Sequence, residues 1–255
     1  MGQMVVTDYR IAVDVSKPLT IAVIADLHDG NWQAIYESVG FRKPDIIAIP
    51  GDLISTTLTD NCISFLTACG SIAPTFYSMG NHETRLEAGD MVEIGKTGAV
   101  LLDDHAVKVG DITVGGLTSG YRFQREQFGQ KYSAGGYSLN PEPDLNWLKV
   151  FSELSGFKVL LCHHAEYYPR YIKQTDIDLT LAGHAHGGQI RLGSQGLFAP
   201  NQGIFPKWTA GVHEERLVIS RGLANTAGWI PRLGNRPELV YATIGTPPDH
   251  PHKSF

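Results

Sequence analysis

The chain has 255 residues, 42% of them hydrophobic and 18% charged, and a formal net charge of −5. That length can bury a substantial core, and the composition is that of an ordinary globular protein. Mild acidity, with no basic tract, argues against a nucleic-acid partner. Residues 1–10 contain no basic segment leading into an apolar run, and the apolar stretch at 19–25 is a strand's length, so a cytoplasmic protein is expected. Cys62, Cys69 and Cys162 are sparse and odd in number. On one helix, Cys62 and Cys69 would lie about 10 Å apart along the axis, beyond disulfide reach. They read as buried thiols in a reducing compartment.

In chain order, residues 20–25 form a short β-rich apolar run, the pattern of a buried strand. A helix is predicted over 32–42. The pattern recurs with a strand at 45–50, a helix at 59–69 carrying Ile63, Phe65 and Leu66, a strand at 73–79 and a helix at 86–96. Such alternation predicts βαβ units and an α/β fold. Further strands are expected at 100–109, 111–117, 158–162, 179–182, 189–192, 216–220 and 239–244, with a helix at 142–154. No repeat or low-complexity block divides the chain. One domain over 1–246 is expected, followed by a flexible tail at 247–255 that holds His250 and His252. The Gly- and aromatic-rich stretch 117–140, with Arg122, Arg125 and Lys131, is longer than most loops and is read as a cover over the substrate side.

Metal-capable side chains stand at five successive strand ends. Asp26 and His28 follow the first strand, Gly51-Asp52 the second, and Gly80-Asn81-His82-Glu83 the third. His163 and His164 end the next, and Gly183-His184-Ala185-His186-Gly187-Gly188 follows the last of the five. Open α/β sheets place their sites at such ends. Any one of these groups alone would be an ordinary turn or a structural histidine; five in order point to a metal site.

That ordered set resembles the calcineurin-like metallophosphoesterase superfamily. The resemblance implies a four-layer α/β/β/α sandwich of two mixed sheets flanked by helices, and two divalent metal ions. It assigns Asp26, His28 and His186 to one ion and Asn81, His163 and His184 to the other. Asp52 would bridge the two, and His82 would be a non-ligand histidine beside the scissile phosphate, making Asp52 and His82 the catalytic pair. With only two anionic ligands the centre keeps a net positive charge, which suits phosphoryl binding and acidifies water. The mixed N/O donors favour Mn, Fe, Zn or Co over Ca or Mg. The implied activity is hydrolysis of a phosphodiester or pyrophosphate. Alternatives are a phosphomonoesterase, including a protein phosphatase, and a non-catalytic metal-binding scaffold. The HxHxDH pattern of metallo-β-lactamases is absent, because Gly187-Gly188 follow His186.

Residues 186–192, 220–223 and 231–239 resemble a bacterial branch that includes UDP-2,3-diacylglucosamine pyrophosphatases and membrane-associated phosphodiesterases. The branch implies a phosphorylated small-molecule or lipid-linked substrate and peripheral membrane contact. Glu83 and Ser55 stand where that pattern often has Asp. Arg191, Arg221, Arg232 and Arg236 are candidate phosphate binders, since guanidinium matches phosphate bidentately. Phe198, Ile204, Phe205, Trp208, Trp229 and Ile230 are read as core residues or as a lipid-facing rim. The oligomeric state is not legible in the sequence.

Overall fold

Short apolar runs and longer amphipathic ones build two six-stranded sheets with helices on their outer faces. The computed structural model describes residues 3–13, 15, 17–122, 141–224 and 230–245. In chain order the first half comprises β1 (Val5–Ile11), β2 (Leu19–Val23), α1 (Gln33–Arg42), β3 (Ile46–Ile49), α2 (Asp60–Gly70), β4 (Thr75–Ser78), α3 (Ala88–Lys96) and β5 (Val100–Leu102). The second half adds β6 (His105–Val109), β7 (Ile112–Leu117), α4 (Leu145–Ser152), β8 (Phe157–His164), β9 (Leu179–Gly183), β14 (Gly211–His213), β15 (Leu217–Ile219) and β16 (Glu238–Ile244). Between β9 and β14 lie two small hairpins, β10 (Arg191–Leu192) with β11 (Gln195–Gly196), and β12 (Phe198–Ala199) with β13 (Gly203–Ile204).

The first sheet runs β1-β16-β2-β3-β4-β5 and the second β14-β15-β9-β8-β7-β6. Both are mixed. β2 to β5 are mutually parallel and β16 is antiparallel to β2, while β6 and β14 flank a parallel β7-β8-β9-β15 core antiparallel.

Side chains alternate across each strand, and three apolar layers follow from that. Ile21 and Val23 of β2 meet Val159 and Leu161 of β8 between the sheets. Ala22 faces the opposite way with Ile47 and Ile49, onto Val39, Phe65, Leu66 and Ile94 of the three helices. Leu160 and Cys162 of β8 face outward onto Leu148 and Phe151 of α4 and onto Tyr168 and Ile172 of a π-helical turn (Tyr168–Ile172). Three layers of packing between four layers of structure are the expected α/β/β/α sandwich. Each fully buried Ile, Leu or Phe contributes about 1.5–3 kcal/mol.

Local signals set the helix ends. Thr59 caps α2 by accepting from the Cys62 amide, and Asp144 caps α4 by accepting from the Asn146 and Trp147 amides. Cys62, Phe65, Leu66 and Cys69 form the buried stripe of α2, so both cysteines do lie on one helix. All three cysteines are free and buried.

Two predicted strands need correction. The 100–109 run is two strands in different sheets, because Asp104 turns the chain at φ 44° and Thr118 ties that turn through Asp103 and Asp104. The 189–192 run keeps only Arg191–Leu192, since Gln189 has φ 59°. β1 was not predicted; it is an edge strand whose residues alternate partly buried and exposed, so it lacks an apolar run. Residues 123–140 of the expected cover, Trp229, and the tail with His250 and His252 lie outside the described residues.

Candidate metal centre

The strand ends of both sheets converge. β2 leads into Asp26 and His28, β3 into Asp52, and β4 into Asn81 and His82, all from the first sheet. β8 ends with His163 and His164, and β9 leads into His184 and His186, from the second. The predicted constellation is therefore assembled across the interface between sheets rather than along one sheet's edge.

The backbone is bent sharply to do this. Asp26, His28, Asp52, His184 and His186 all have φ between 44° and 66°. This left-handed region is uncommon for residues with a Cβ and concentrates at functional sites. Glycines make room for the carboxylates rather than for an ion directly. A Cβ on Gly80 would sit 2.3 Å from Asp52 Oδ1, and one on Gly222 would sit 2.7 Å from Asp26 Oδ2.

Among the described residues four sets of donor atoms lie within 4.8 Å of one another: Asp26 with His28 and His186, Asp52 with His163 and His184, His28 with Asp52 and His82, and His164 with Glu166 and His184; the first two contain only candidate ligands. In the first, His186 Nε2 is 3.6 Å and His28 Nε2 3.9 Å from Asp26 Oδ1. In the second, His163 Nε2 is 3.1 Å from Asp52 Oδ2 and 3.2 Å from His184 Nδ1. Asp52 touches both, since His28 Nε2 is 3.7 Å from the same Oδ2. Among the described residues, His28 Nε2 and Asn81 Oδ1 are buried with no hydrogen-bond partner. Orphaned buried lone pairs beside two carboxylates fit a pair of divalent cations.

Tautomers are set from behind. His28 Nδ1 is 3.2 Å from the Ile54 carbonyl and His163 Nδ1 is 2.9 Å from that of Pro50. Donation there leaves each Nε2 lone pair facing the carboxylates. Burial lowers the His28 pKa to about 4 against the pull of Asp52 and Asp26. Burial likewise lowers His184 and His186, so these rings are neutral near pH 7, as ligands must be. His163 goes the other way: burial opposes it, but Asp52 in contact pushes it up to about 10. The cause is the carboxylate that faces its Nε2 at 3.1 Å.

His82 is distinct. Its ring Nδ1 is 2.5 Å from the Ser55 carbonyl, its Nε2 is 3.8 Å from Asp52 Oδ2, and its side chain is 23% exposed where the aspartate and histidine ligand candidates are nearly covered. It stands at the mouth of the cluster.

Glu83 has a role that sequence reading left undefined. This fully buried carboxylate accepts from the amides of Asp52, Leu53, Ile54 and Gly80 and from the Tyr77 hydroxyl. It staples the Asp52 turn to the Asn81–His82 turn. Burial, then the Asp52 carboxylate, raises its pKa, and the Tyr77 hydroxyl, His163 and the Asp52 amide pull it back. Glu166 was not foreseen at all; it lies buried three residues past His163, beside His164 and His184.

The four arginines have internal partners. Arg191 donates to the Gly187 carbonyl and Thr209, Arg221 pairs with Glu238 at 2.9 Å, and Arg236 reaches the Gln3 carbonyl at the surface. Arg232 donates to the carbonyls of Gly222 and Arg221, and its charge interacts with Asp26 and His186. Of the aromatic and aliphatic loop residues, Phe198, Ile204 and Phe205 are exposed, as are Leu192 and Leu233, whereas Trp208 packs on Tyr168.

The family model for calcineurin-like phosphoesterases matches residues 19–188, which contain every candidate ligand. An uncharacterised metallophosphoesterase of Campylobacter jejuni is 31% identical over 187 residues, 69% of this chain and 46% of its own length, so the chain spans about half of that relative. The phosphodiesterase YaeI of Escherichia coli is 26% identical over 244 residues, 89% of this chain and 82% of its own. A dimetal phosphatase from Danio rerio shares the fold with a TM-score of 0.50 at 12% identity, over 80% of this chain and 87% of its own. The chain belongs to the calcineurin-like phosphoesterase family.

Proposed function

We propose that this family member is a binuclear-metal-dependent phosphoester hydrolase acting on a phosphodiester or pyrophosphate. The observation that carries the reading is that one carboxylate, Asp52, joins two buried donor groups. Asp26, His28 and His186 would hold one ion, and Asn81, His163 and His184 the other. Bound there, a pair of Mn, Fe, Zn or Co ions would neutralise phosphoryl charge and lower the pKa of an attacking water. His82, oriented through its Nδ1 by the Ser55 carbonyl, offers Nε2 to the leaving oxygen. The phosphodiester preference is supported by the relative that carries that name.

The test is metal analysis of the purified protein together with turnover of bis-p-nitrophenyl phosphate and p-nitrophenyl phosphate. Two transition metals per chain and faster diester cleavage are expected, and Asp52→Ala should hold fewer than two metals and lose turnover. Faster monoester cleavage would move the reading to a phosphatase. Two bound metals without turnover of either ester would make it a scaffold.

A lipid-linked substrate at a membrane surface is favoured by one specific observation. Leu192, Phe198 and Ile204 on the two hairpins that follow His186, and Phe205 just after them, are exposed, and exposed apolar side chains that form a patch mark contact surfaces. No helix among the described residues is long and apolar enough to cross a membrane, so contact would be peripheral. UDP-2,3-diacylglucosamine should be cleaved faster than plain nucleotide diesters, with stimulation by detergent micelles. Indifference to acyl chains would overturn this part.

A further inference from the structure

His184 poses a question the other ligand histidines do not. Its Nδ1 lies 3.2 Å from His163 Nε2 and so points into the second donor group. If Nδ1 supplies the lone pair, the proton of the neutral ring is on Nε2, inside a buried pocket, and it needs an acceptor. Among the described residues, Asn201 and Glu166 face Nε2 within 3.9 Å. Asn201 Nδ2 is 3.4 Å away, but an amide nitrogen donates and cannot accept, and one of its hydrogens goes to Glu166 Oε1 at 2.8 Å. The remaining group is Glu166 Oε1 itself, 3.9 Å from His184 Nε2.

Glu166 is held for this role. The carboxylate is 3% exposed, and its ion-pair partners found among the described residues are His164 and His184. His164 Nδ1 is 3.2 Å from Oε1, and His164 Nε2 is anchored in turn by Ser119 Oγ at 2.7 Å. Its second oxygen, Oε2, is buried with no hydrogen-bond partner. A buried carboxylate with an unspent oxygen is costly unless something nearby uses its charge. The 3.9 Å gap is roughly 1 Å longer than a charge-assisted hydrogen bond, an ion-pair distance that a small rotation of either side chain closes.

We propose that Glu166 is the positioning residue of the second half of the metal centre: its carboxylate takes the His184 Nε2–H and so holds Nδ1 toward Asp52 and His163. The inference rests on the metal-pair reading above. His28 and His163 lean on neutral backbone carbonyls, Ile54 and Pro50. His184 leans on a charge, which makes its ring the more basic donor. Glu166 thereby adds an anionic group behind one ion and not the other, so the two halves differ in affinity through a residue that touches neither ion.

The experiment is competitive metal titration of metal-stripped protein with Mn(II) and Zn(II), with stoichiometry by elemental analysis and circular dichroism as a folding control. Wild-type protein should bind two ions. In Glu166→Gln the first ion should bind as in wild type and the second about 10–100-fold more weakly. Unchanged affinity for both ions in folded Glu166→Gln overturns the proposal, as does equal weakening of both. If Glu166→Gln does not fold, Asn201→Ala decides: it removes the anchor of Oε1 and should weaken the second ion selectively, and unchanged binding overturns the proposal. Wild-type protein that binds fewer than two ions would overturn the metal-pair reading itself, a result separate from any variant's.

Discussion

Loss of Glu83 should cost substantial stability without removing a candidate metal ligand. Its Oε1 accepts from the Leu53 and Ile54 amides at 2.9 and 3.2 Å and from the Tyr77 hydroxyl at 2.7 Å. Its Oε2 accepts from the Asp52 and Gly80 amides, both at 2.8 Å. All five partners donate. In Glu83→Gln one oxygen becomes an NH2, which cannot accept, and whichever way the amide turns at least two buried donors lose their partner. At about 1–3 kcal/mol per unsatisfied donor the cost is about 2–6 kcal/mol. For a chain of this size that corresponds to a fall in the unfolding midpoint of about 5–20 °C. The assay is thermal unfolding followed by circular dichroism in chelator, so that metal binding does not contribute to the midpoint. A Glu83→Gln midpoint within about 2 °C of wild type would refute the staple, and with it the account of how the Asp52 and Asn81 turns are kept in register.

Three further outcomes follow from the geometry. His82→Ala should keep its bound metal and lose about 10²–10⁴ in kcat, with a smaller loss for leaving groups of low pKa; equal loss on good and poor leaving groups would refute its role as proton donor. Gly222→Ala adds a Cβ at φ +72° within 2.7 Å of Asp26 Oδ2, so metal content should fall selectively at the Asp26 half, and unchanged metal content would refute the crowding. The third concerns Asp104, whose pKa is pushed up to about 6 by burial, with Thr118 pulling it down and Asp103 and Asp144 pushing it up. A raised carboxyl pKa contributes stability below the unfolded value of about 3.9 that is lost as pH rises through about 6. Asp104→Asn should therefore raise the unfolding free energy near pH 8 by about 1–2 kcal/mol once partial exposure is discounted, and give no gain near pH 4. An equal effect at both pH values would refute it.

The fold was legible where burial on both faces produced an unbroken apolar run. β2, β3 and β4 were read from Thr20–Ala25 and its successors because parallel central strands are covered by helices on one side and the second sheet on the other. The same logic explains what was missed. β1 borders the sheet and its outward residues, Asp8 and Arg10 among them, meet solvent, so no apolar run announces it. The division of 100–109 between two sheets depends on Asp104 at φ 44° and on Thr118 fourteen residues away. Nothing in the local pattern distinguishes that turn from a continuous strand.

The candidate ligands stand out in the sequence for a reason that does not extend to their surroundings. Asp26, His28, Asp52, Asn81, His184 and His186 all lie just after apolar runs and near glycines, and His163 is at the end of the apolar run of β8. What holds those ligands obeys no such local rule. Glu166 meets His184 eighteen residues on, and Asn201 reaches Glu166 across 35 residues. Both contacts exist only because β8 and β9 are neighbours and the hairpin after them folds back. The arginines show the converse. Residue type suggested phosphate binding, yet a guanidinium is satisfied equally by carbonyls, and Arg191, Arg232 and Arg236 donate to those of Gly187, Gly222 and Gln3. The charge of Arg232 also reaches Asp26 and His186. Sequence spacing thus identifies the atoms that would touch an ion, whereas their orientation and basicity are tertiary properties.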